Sequence, residues 1–524
     1  MNTSRRAFLR QAAAYSSLGA AGPLGLNLAA MSQASAQSAG DYRALVCVFL
    51  YGGNDSFNTV LATDTDSWTH YLNHRDPASR GTAGGTSIAL PGVGTPANAS
   101  APAGALARLG GVRALPASAR PAHQGRQFAL HPSLVQMQQL AHSRRLAVLA
   151  NVGPLVQPTS KAQYAQNLFA KPAKLFSHND QQSTWLSFGP EGASEGWGGR
   201  MGDLLMSANG GAGASGSLVQ RMLTCMTPFS QSIFLTGRHV QQYQVGATGI
   251  PSLGAQGRVF GDARLQAAVS GIMNDPAQTN LFAVAQQQTV DRALQASSLI
   301  GSALPSDAQA PWGTPGANAW NDPKLMYTNP MTGATQHNHV AMQLQMVARL
   351  IEANRSANLG ARRQVFMVGL SGFDNHDSQN TEHANRLAQL DHAMAYFDAV
   401  LGQMPSGDMR SNVTTFTASD FGRSFTSNGD GTDHGWGAHH FIMGGAVSGG
   451  EVYGSFPQYS TADAGGVFSS PDQIGNGVLL PSTSVDQYAF TLGKWMGVSD
   501  SELRSILPNL SNFNSASHNL GFMG

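Results

Sequence analysis

Near its N-terminus the chain carries the run Ala44-Leu45-Val46-Cys47-Val48-Phe49-Leu50-Tyr51-Gly52-Gly53-Asn54-Asp55. The first eight residues are apolar or aromatic, and the run stops at two glycines followed by two polar residues. Strands that are buried on both faces of a parallel sheet have this uninterrupted apolar composition. The run therefore predicts a central strand whose carboxyl end presents polar side chains.

Three later segments repeat this design. Strand-like runs over 146–150, 364–370 and 413–417 lead to Asn151, to Asp374 and to Asp420. Between them, residues 340–357 and 383–404 place apolar side chains three and four positions apart, which is typical of helices that pack one side on a sheet. Strands that alternate with helices predict an α/β sandwich.

The other long segments lack such patterns. Residues 79–121, 209–216 and 304–336 are rich in Gly, Ala, Pro and Ser, and we interpret them as surface insertions rather than linkers. Charged residues make up only 12% of the 524 residues, and 60 are glycines, which favours long loops around one large core. We therefore predict a single elaborated domain over residues 37–524.

The first residues have the pattern of an export signal. The block Ser4-Arg5-Arg6-Ala7-Phe8-Leu9 precedes an uncharged stretch rich in Ala, Gly and Leu, as in twin-arginine signal peptides. The small residues at 34–36 suit cleavage after Ala36. The stretch is too polar for a stable membrane span, although a retained N-terminal anchor is the alternative. We predict that residues 1–36 engage the twin-arginine translocase and that the mature protein is periplasmic or secreted.

The mature chain is expected to be nearly neutral. Loss of residues 1–36 removes three arginines and no acid, which leaves 28 basic and 30 acidic side chains. Such a balance argues against nucleic-acid binding and against a polybasic membrane surface. The only cysteines are Cys47 and Cys225. We expect Cys47 to be a small buried residue, and a disulfide between the two is the alternative.

Acidic residues follow three of the four predicted strands: Asp55, Asp374 and Asp420. Because ligands bind beyond the carboxyl ends of the strands in open α/β sheets, we expect these acids at one sheet edge. His376 and His434 follow the last two of them. Carboxylates and imidazoles without thiolates suit a divalent cation such as zinc, calcium, magnesium or manganese.

A metal site of this kind can catalyse the hydrolysis of an ester. One ion polarises an ester and acidifies water, and two close ions hold both oxygens of an in-line displacement. Ser177 is our candidate hydroxyl nucleophile, and Arg423 is our candidate anion clamp. Each candidate also has a simpler structural interpretation. Asp55 is then part of an Asx turn, Asp374 and His376 cap a loop, and Asp420 forms an ion pair with Arg423. In the same interpretation Ser177 is an N-cap, and a solvated loop contains His434, His439 and His440.

Five segments stand out: GGNDSFNT at 52–59, SHNDQQ at 177–182, GFDNH at 372–376, SDFGR at 419–423 and DHGWG at 433–437. With the twin-arginine block they resemble the exported bacterial family called domain of unknown function 1501, over nearly the whole mature chain. That family is in turn similar to the alkaline phosphatase and sulfatase superfamily. The resemblance implies an alkaline-phosphatase-like α/β fold, a three-layer sandwich with a central mostly parallel sheet and long Gly/Ala/Pro-rich insertions.

The superfamily pattern also implies roles for single residues. Asp55 resembles a ligand of the second metal, Asp374 and His376 resemble ligands of the first, Asp420 resembles the acid of an Asp-His pair, and His434 resembles the last histidine ligand. Phe421 stands where the superfamily has a metal-binding histidine, and a phenyl ring cannot bind a metal. The resemblance is therefore compatible with one metal or none.

Two functions remain open from the sequence. The first is an exported metal-dependent hydrolase of a phosphate or sulfate ester, in a small molecule or a polymer. Its predicted metal ligands are Asp55, Asp374, His376, Asp420 and His434. The second is a non-catalytic binding or assembly protein that keeps the fold and has lost a metal site. A third class, a cofactor oxidoreductase, has no dinucleotide fingerprint or haem-attachment cysteine pair in this chain.

Overall fold

The structure is a computed structural model that describes residues 42–80, 85–167, 169–209, 222–250, 262–273 and 279–524. The predicted signal peptide lies outside the described residues, as does nearly all of the predicted insertion at 209–216. Among the described helices, none has the length and apolar character needed to cross a membrane.

The strands of the described residues are numbered here in chain order. They are β1 (Arg43–Tyr51), β2 (Val60–Ala62), β3 (Arg113–Ala114), β4 (Phe128–Leu130), β5 (Leu146–Gly153), β6 (Cys225–Thr227), β7 (Tyr243–Gln244), β8 (Met326–Thr328), β9 (Thr335–His337), β10 (Arg363–Ser371), β11 (Val413–Ser419), β12 (Arg423–Ser427), β13 (Thr432–His434), β14 (Ala438–Met443), β15 (Val452–Tyr453), β16 (Gln473–Ile474), β17 (Val478–Leu479) and β18 (Thr483–Ser484).

The α-helices of the described residues are named by their bounds. They are Ser56–Thr59, Thr65–Arg75, Val135–His142, Lys161–Gln166, His178–Ser187, Trp197–Leu205, Ala263–Met273, Leu281–Ala303, His339–Ser356, Gln379–Leu401, Val485–Met496 and Asp500–Ile506.

Nine of the described strands form one central sheet. Its order is β15-β5-β14-β11-β1-β10-β6-β7, and β18 pairs with the end of β5. The central strand β1 pairs in parallel with β10 on one side and with β11 on the other. In the described sheet only β14 runs antiparallel to its neighbours, β11 and β5. The predicted mixed α/β fold with a large, mostly parallel central sheet is confirmed.

The composition of β1 follows from its position between two layers of helices. Its residues 44–50 are each at most 1% exposed, and alternate side chains point to opposite faces of the sheet. One set packs in a core with the helices His339–Ser356 and Gln379–Leu401. The other set packs with the helices Trp197–Leu205 and Val485–Met496. Because both faces are covered, the strand is apolar throughout.

Several sequence predictions can be compared directly with these elements. The four predicted strands are β1, β5, β10 and β11, and the two predicted helices are His339–Ser356 and Gln379–Leu401. Cys47 and Cys225 are both buried and form no disulfide, and burial raises the pKa of both thiols. The interpretation of Cys47 as a small buried residue is therefore confirmed.

Candidate metal centre

The carboxyl ends of β1, β10 and β11 lie side by side, because β1 pairs in register with both neighbours up to its last residues. Asp374 lies just beyond β10, and Asp420 directly follows β11. Gly52, at the end of β1, has a φ of +113°, and a Cβ at this position would lie 2.5 Å from the backbone nitrogen of Asp374. The glycine thus lets the turn after β1 lie directly against the loop that carries Asp374.

Three side chains direct one ligand atom each toward a common point: His178, Asp374 and His434. These atoms all lie within 4.8 Å of one another. His178 Nε2 is 3.1 Å from His434 Nε2. The two imidazoles contact different oxygens of Asp374, His178 Nε2 at 3.3 Å from Oδ2 and His434 Nε2 at 3.4 Å from Oδ1. Tetrahedral ligands at zinc–nitrogen distances of about 2.0–2.1 Å stand roughly 3.3 Å apart. The three residues, the metal triad below, can therefore hold one metal ion.

Both imidazoles of the triad are held by their other ring nitrogen. His178 Nδ1 donates to Asp420 Oδ2 at 2.7 Å, and His434 Nδ1 donates to the backbone oxygen of Phe176 at 2.7 Å. Since a carboxylate or a carbonyl only accepts, each neutral ring carries a lone pair at Nε2. Two lone pairs 3.1 Å apart repel unless a proton or a metal ion separates them. Histidine ligands of protein-bound metals have the same outer partners.

The pKa values of the two rings are shifted in opposite directions from the ordinary value of histidine. The hydrogen bond to Asp420 raises the pKa of His178 above its ordinary value, despite partial burial. Burial lowers the pKa of His434. Of the two rings, His178 therefore holds a proton more readily, and a metal ion at Nε2 would compete with that proton.

Asp420 lies behind His178 rather than among the three atoms of the triad. Its carboxylate is fully buried. Besides His178, Oδ2 accepts from Gln182 Nε2 at 2.8 Å, and Oδ1 accepts from the backbone nitrogen of Gly52 at 3.2 Å. This residue, which the sequence analysis predicts as a ligand, is thus in a position to orient a ligand and to increase its basicity.

We expect Asp420→Asn to weaken metal binding without abolishing it. Loss of an outer partner of a histidine ligand typically lowers metal affinity by about 10- to 100-fold. The measurement is a competition titration of zinc against a chromogenic chelator. The control is Asp433→Asn, because Asp433 is 46% exposed and lies 3.7 Å from His376 Nδ1, outside the triad. Equal affinities for the two variants would contradict an orienting role for Asp420.

Arg423 holds the carboxylate of the triad. Its Nη2 donates to Asp374 Oδ1 at 2.9 Å, and its side chain is 0% exposed. Burial raises the pKa of Asp374, but Arg423, His178 and His376 lower it by more, so this pKa lies below its ordinary value. Asp374 is therefore ionised and ready to bind a cation. Arg423 is enclosed by protein and contacts Asp374, and its role as an anion clamp stays a prediction.

His376 lies beside the triad, on its exposed side. Its Nε2 is 3.0 Å from Asp374 Oδ1 and 3.0 Å from His434 Nε2. The side chain is 45% exposed. Of the predicted ligands, Asp374, His376 and His434 are thus brought together, and Asp374 and His376 are more exposed than His434.

Phe421 supports the two histidines of the triad. The centroid of its ring is 4.8 Å from that of His178 and 4.8 Å from that of His434. Gly53, at a φ of +81°, makes room for this ring, since a Cβ there would overlap it. Phe421 is therefore a packing residue beside the triad, and one of the imidazoles of the triad comes from His178.

Asp55 is engaged in a separate buried ion pair. Arg75 donates from Nη1 to Oδ2 at 2.5 Å and from Nη2 to Oδ1 at 3.0 Å. Gln379 Nε2 donates to Oδ2 at 2.6 Å, and the backbone nitrogen of Phe57 donates to Oδ1 at 3.1 Å. Burial raises the pKa of Asp55, but Arg75 and the other partners lower it below its ordinary value. Both oxygens are occupied by donors, and the structure does not group Asp55 with the triad.

Ser177 directly precedes the helix His178–Ser187 and adjoins the triad in sequence. Its hydroxyl donates to Asp180 Oδ2 at 3.1 Å. The described residues place no histidine within hydrogen-bonding distance of this hydroxyl to remove its proton. The carboxylate of Asp180 is the only hydrogen-bond acceptor of this hydroxyl among the described residues, and the nucleophilic role of Ser177 stays a prediction.

Sequence reasoning missed His178. Within the segment SHNDQQ the sequence predicts a role for Ser177, because a hydroxyl at the start of a helix can act as a nucleophile, and none for His178. His178 is separated by 196 positions from Asp374 and by 256 from His434. No local spacing joins the three residues.

The comparisons with known proteins identify a family without assigning a chemistry. The family described as "Protein of unknown function (DUF1501)" matches residues 42–508. No curated protein and no solved structure matches the chain.

Proposed function

This chain belongs to the DUF1501 family, whose match spans most of its length, and we propose that it is an exported, metal-dependent hydrolase. The observation that carries the proposal is the metal triad, in which two imidazole nitrogens and one carboxylate converge while their other atoms are held by Asp420, Phe176 and Arg423. Three protein ligands leave a coordination position open, as in catalytic zinc sites.

In this proposal His178, Asp374 and His434 bind one divalent ion. When bound, such an ion lowers the pKa of a coordinated water to about 7 and polarises the substrate. Asp420 keeps His178 in the tautomer with Nε2 free, and Arg423 fixes the carboxylate of Asp374. His376, on the exposed side, is placed to exchange a proton with the leaving group.

We propose a phosphate or sulfate ester as the substrate class. The resemblance to the alkaline phosphatase and sulfatase superfamily supports this choice, and so does the position of the triad at the carboxyl edge of a mostly parallel sheet. A water molecule, rather than Ser177, would be the nucleophile in this proposal, since the Ser177 hydroxyl is bonded to Asp180. The twin-arginine block at residues 4–9 supports export.

The first test combines metal analysis with an ester panel. Protein purified from the periplasm is expected to contain about one divalent ion per chain and to hydrolyse an aryl phosphate or an aryl sulfate. Asp374→Asn should lose both the metal and the activity. Ser177→Ala should keep both, whereas a serine nucleophile would make this variant inactive. Absence of both the metal and turnover in the wild-type protein would refute the proposal.

The second candidate function is a non-catalytic binding or assembly protein on the same fold. The specific observation in its favour is Phe421, which fills a ligand position of the superfamily with a packing residue. A metal-free protein whose melting temperature is the same with and without a chelator would favour this candidate.

A further inference from the structure

An open groove of about 450 Å³ is lined in part by Asn179, which follows His178 in the chain, and by Ser371, the last residue of β10. We call it the Tyr51–Phe229 groove, after the two aromatic residues in its wall. Its volume falls within the range of about 300–1,000 Å³ that is usual for ligand sites.

The groove and the triad share structural elements. Gln182 lines the groove and also donates to Asp420, the residue that holds His178. Tyr51 is the last residue of β1 and precedes Gly52, whose backbone nitrogen donates to Asp420. Ser371, the last residue of β10, also lines the groove and leads into the loop that carries Asp374. A molecule in the groove therefore lies next to the metal site.

The lining is polar but almost uncharged. Seven of its twelve residues are Ser, Asn or Gln, and Glu191 is the only charged residue among them. The hydroxyls of Tyr51, Ser230 and Ser371 make no hydrogen bond to the described part of the chain, so they are available to a ligand. The lack of a lysine or arginine disfavours a polyanion, and the many amides and hydroxyls disfavour an acyl chain.

Two aromatic rings complete the wall. The centroids of Tyr51 and Phe229 are 5.8 Å apart, with an angle of 39° between the ring planes. Gly369 in β10 lets them approach the sheet, since a Cβ there would lie 2.5 Å from the Phe229 ring and 2.9 Å from the Tyr51 ring. Aromatic faces provide flat apolar surface beside the polar groups.

We infer that the Tyr51–Phe229 groove binds a neutral, polyhydroxylated part of the substrate, namely a sugar. A sugar ring has C–H groups on its faces, which pack on aromatic rings, and hydroxyls around its rim, which bond to Ser, Asn and Gln. The substrate is then a sugar ester whose reactive group reaches the triad. The reaction in this inference rests on the proposed function, whereas sugar binding by the groove does not.

The first experiment measures binding alone. The full-length exported protein is titrated by calorimetry with neutral trisaccharides: maltotriose, cellotriose and laminaritriose. At least one is expected to bind, and Phe229→Ala should weaken that binding by about 10-fold. Gln231→Ala, at an exposed lining residue, provides a second variant with little risk to folding. Trp320→Ala is the control, because this 59% exposed aromatic residue is not part of the groove lining.

The second experiment measures turnover of glucose 6-sulfate and glucose 6-phosphate against ethyl and octyl esters with the same reactive groups. We expect a higher kcat/KM for the sugar esters, and Phe229→Ala should reduce it for these alone. Sugar binding by a protein that contains no divalent ion and turns over none of these esters would refute the proposed function and support the groove inference. Absence of trisaccharide binding, or a preference for the octyl esters, would overturn the groove inference even if the enzyme is active.

Discussion

Replacing His434 with alanine is expected to abolish the stabilisation of the folded protein by zinc. A metal that binds only the native state at 100 times its dissociation constant adds about 2.7 kcal/mol to the free energy of unfolding. His434→Ala leaves two ligands, His178 and Asp374, and removes one of the two facing nitrogens. The measurement is the melting temperature with zinc and with a chelator.

The matched control for this experiment is His142→Ala. His142 is exposed at the end of the helix Val135–His142, and it is not part of the metal triad. The control should keep the full zinc-dependent rise in melting temperature. A similar rise in His434→Ala would show that zinc binds elsewhere and would remove the basis of the proposed function.

Replacing Asp55 with asparagine is expected to lower the free energy of unfolding by about 3–5 kcal/mol, which is typical when one partner of a buried ion pair is removed. Arg75 is 0% exposed and would lose its charged partner. The metal content should not change, since Asp55 is bonded to Arg75, Gln379 and Phe57. The measurements are urea unfolding and metal analysis of the same preparation.

The control is Asp408→Asn. Asp408 pairs with Arg410 at the surface, where the two side chains are 49% and 30% exposed, so the expected loss is only about 0–1 kcal/mol. A loss of metal with little loss of stability in Asp55→Asn would instead support the ligand role that the superfamily resemblance implies.

The ion pair of Asp55 with Arg75 is expected to stabilise the folded protein less at acidic pH. The pKa of Asp55 in the folded protein lies below its ordinary value. Its contribution to stability is therefore fully present above about pH 4, the ordinary pKa of an aspartate, and is lost as the pH falls through the folded pKa. Asp55→Asn should weaken the dependence of stability on pH in this acidic range.

The central strands could be predicted because a strand that is buried on both faces consists almost entirely of apolar residues. Strands β1 and β5 could be identified from their own apolar sequences, without information about the strands that pair with them. Strand β14 was different, because it contains His439 and His440, which suggested a loop or a site. Both are buried in the sheet, and burial lowers the pKa of each to about 3. Hydrophobic periodicity cannot identify a strand that buries neutral imidazoles.

The candidate site could be predicted only in part. The positions of Asp374 and Asp420 near one sheet edge could be predicted, since parallel strands end at the same edge. The different roles of the acidic residues could not be predicted. Whether an acid binds a cation, orients a histidine as Asp420 does, or pairs with an arginine as Asp55 does depends on neighbours that are distant in the chain.

The pairing of β5 has a consequence for synthesis of the protein. Among the described strands its partners are β14, β15 and β18, which all lie after residue 437. At 5–20 residues per second, a ribosome needs roughly 15 to 60 s to proceed from the end of β5 to β14. During this time an apolar strand has no native edge to join and is prone to aggregate. A truncated chain that ends before β14 should therefore depend on chaperones to stay in solution.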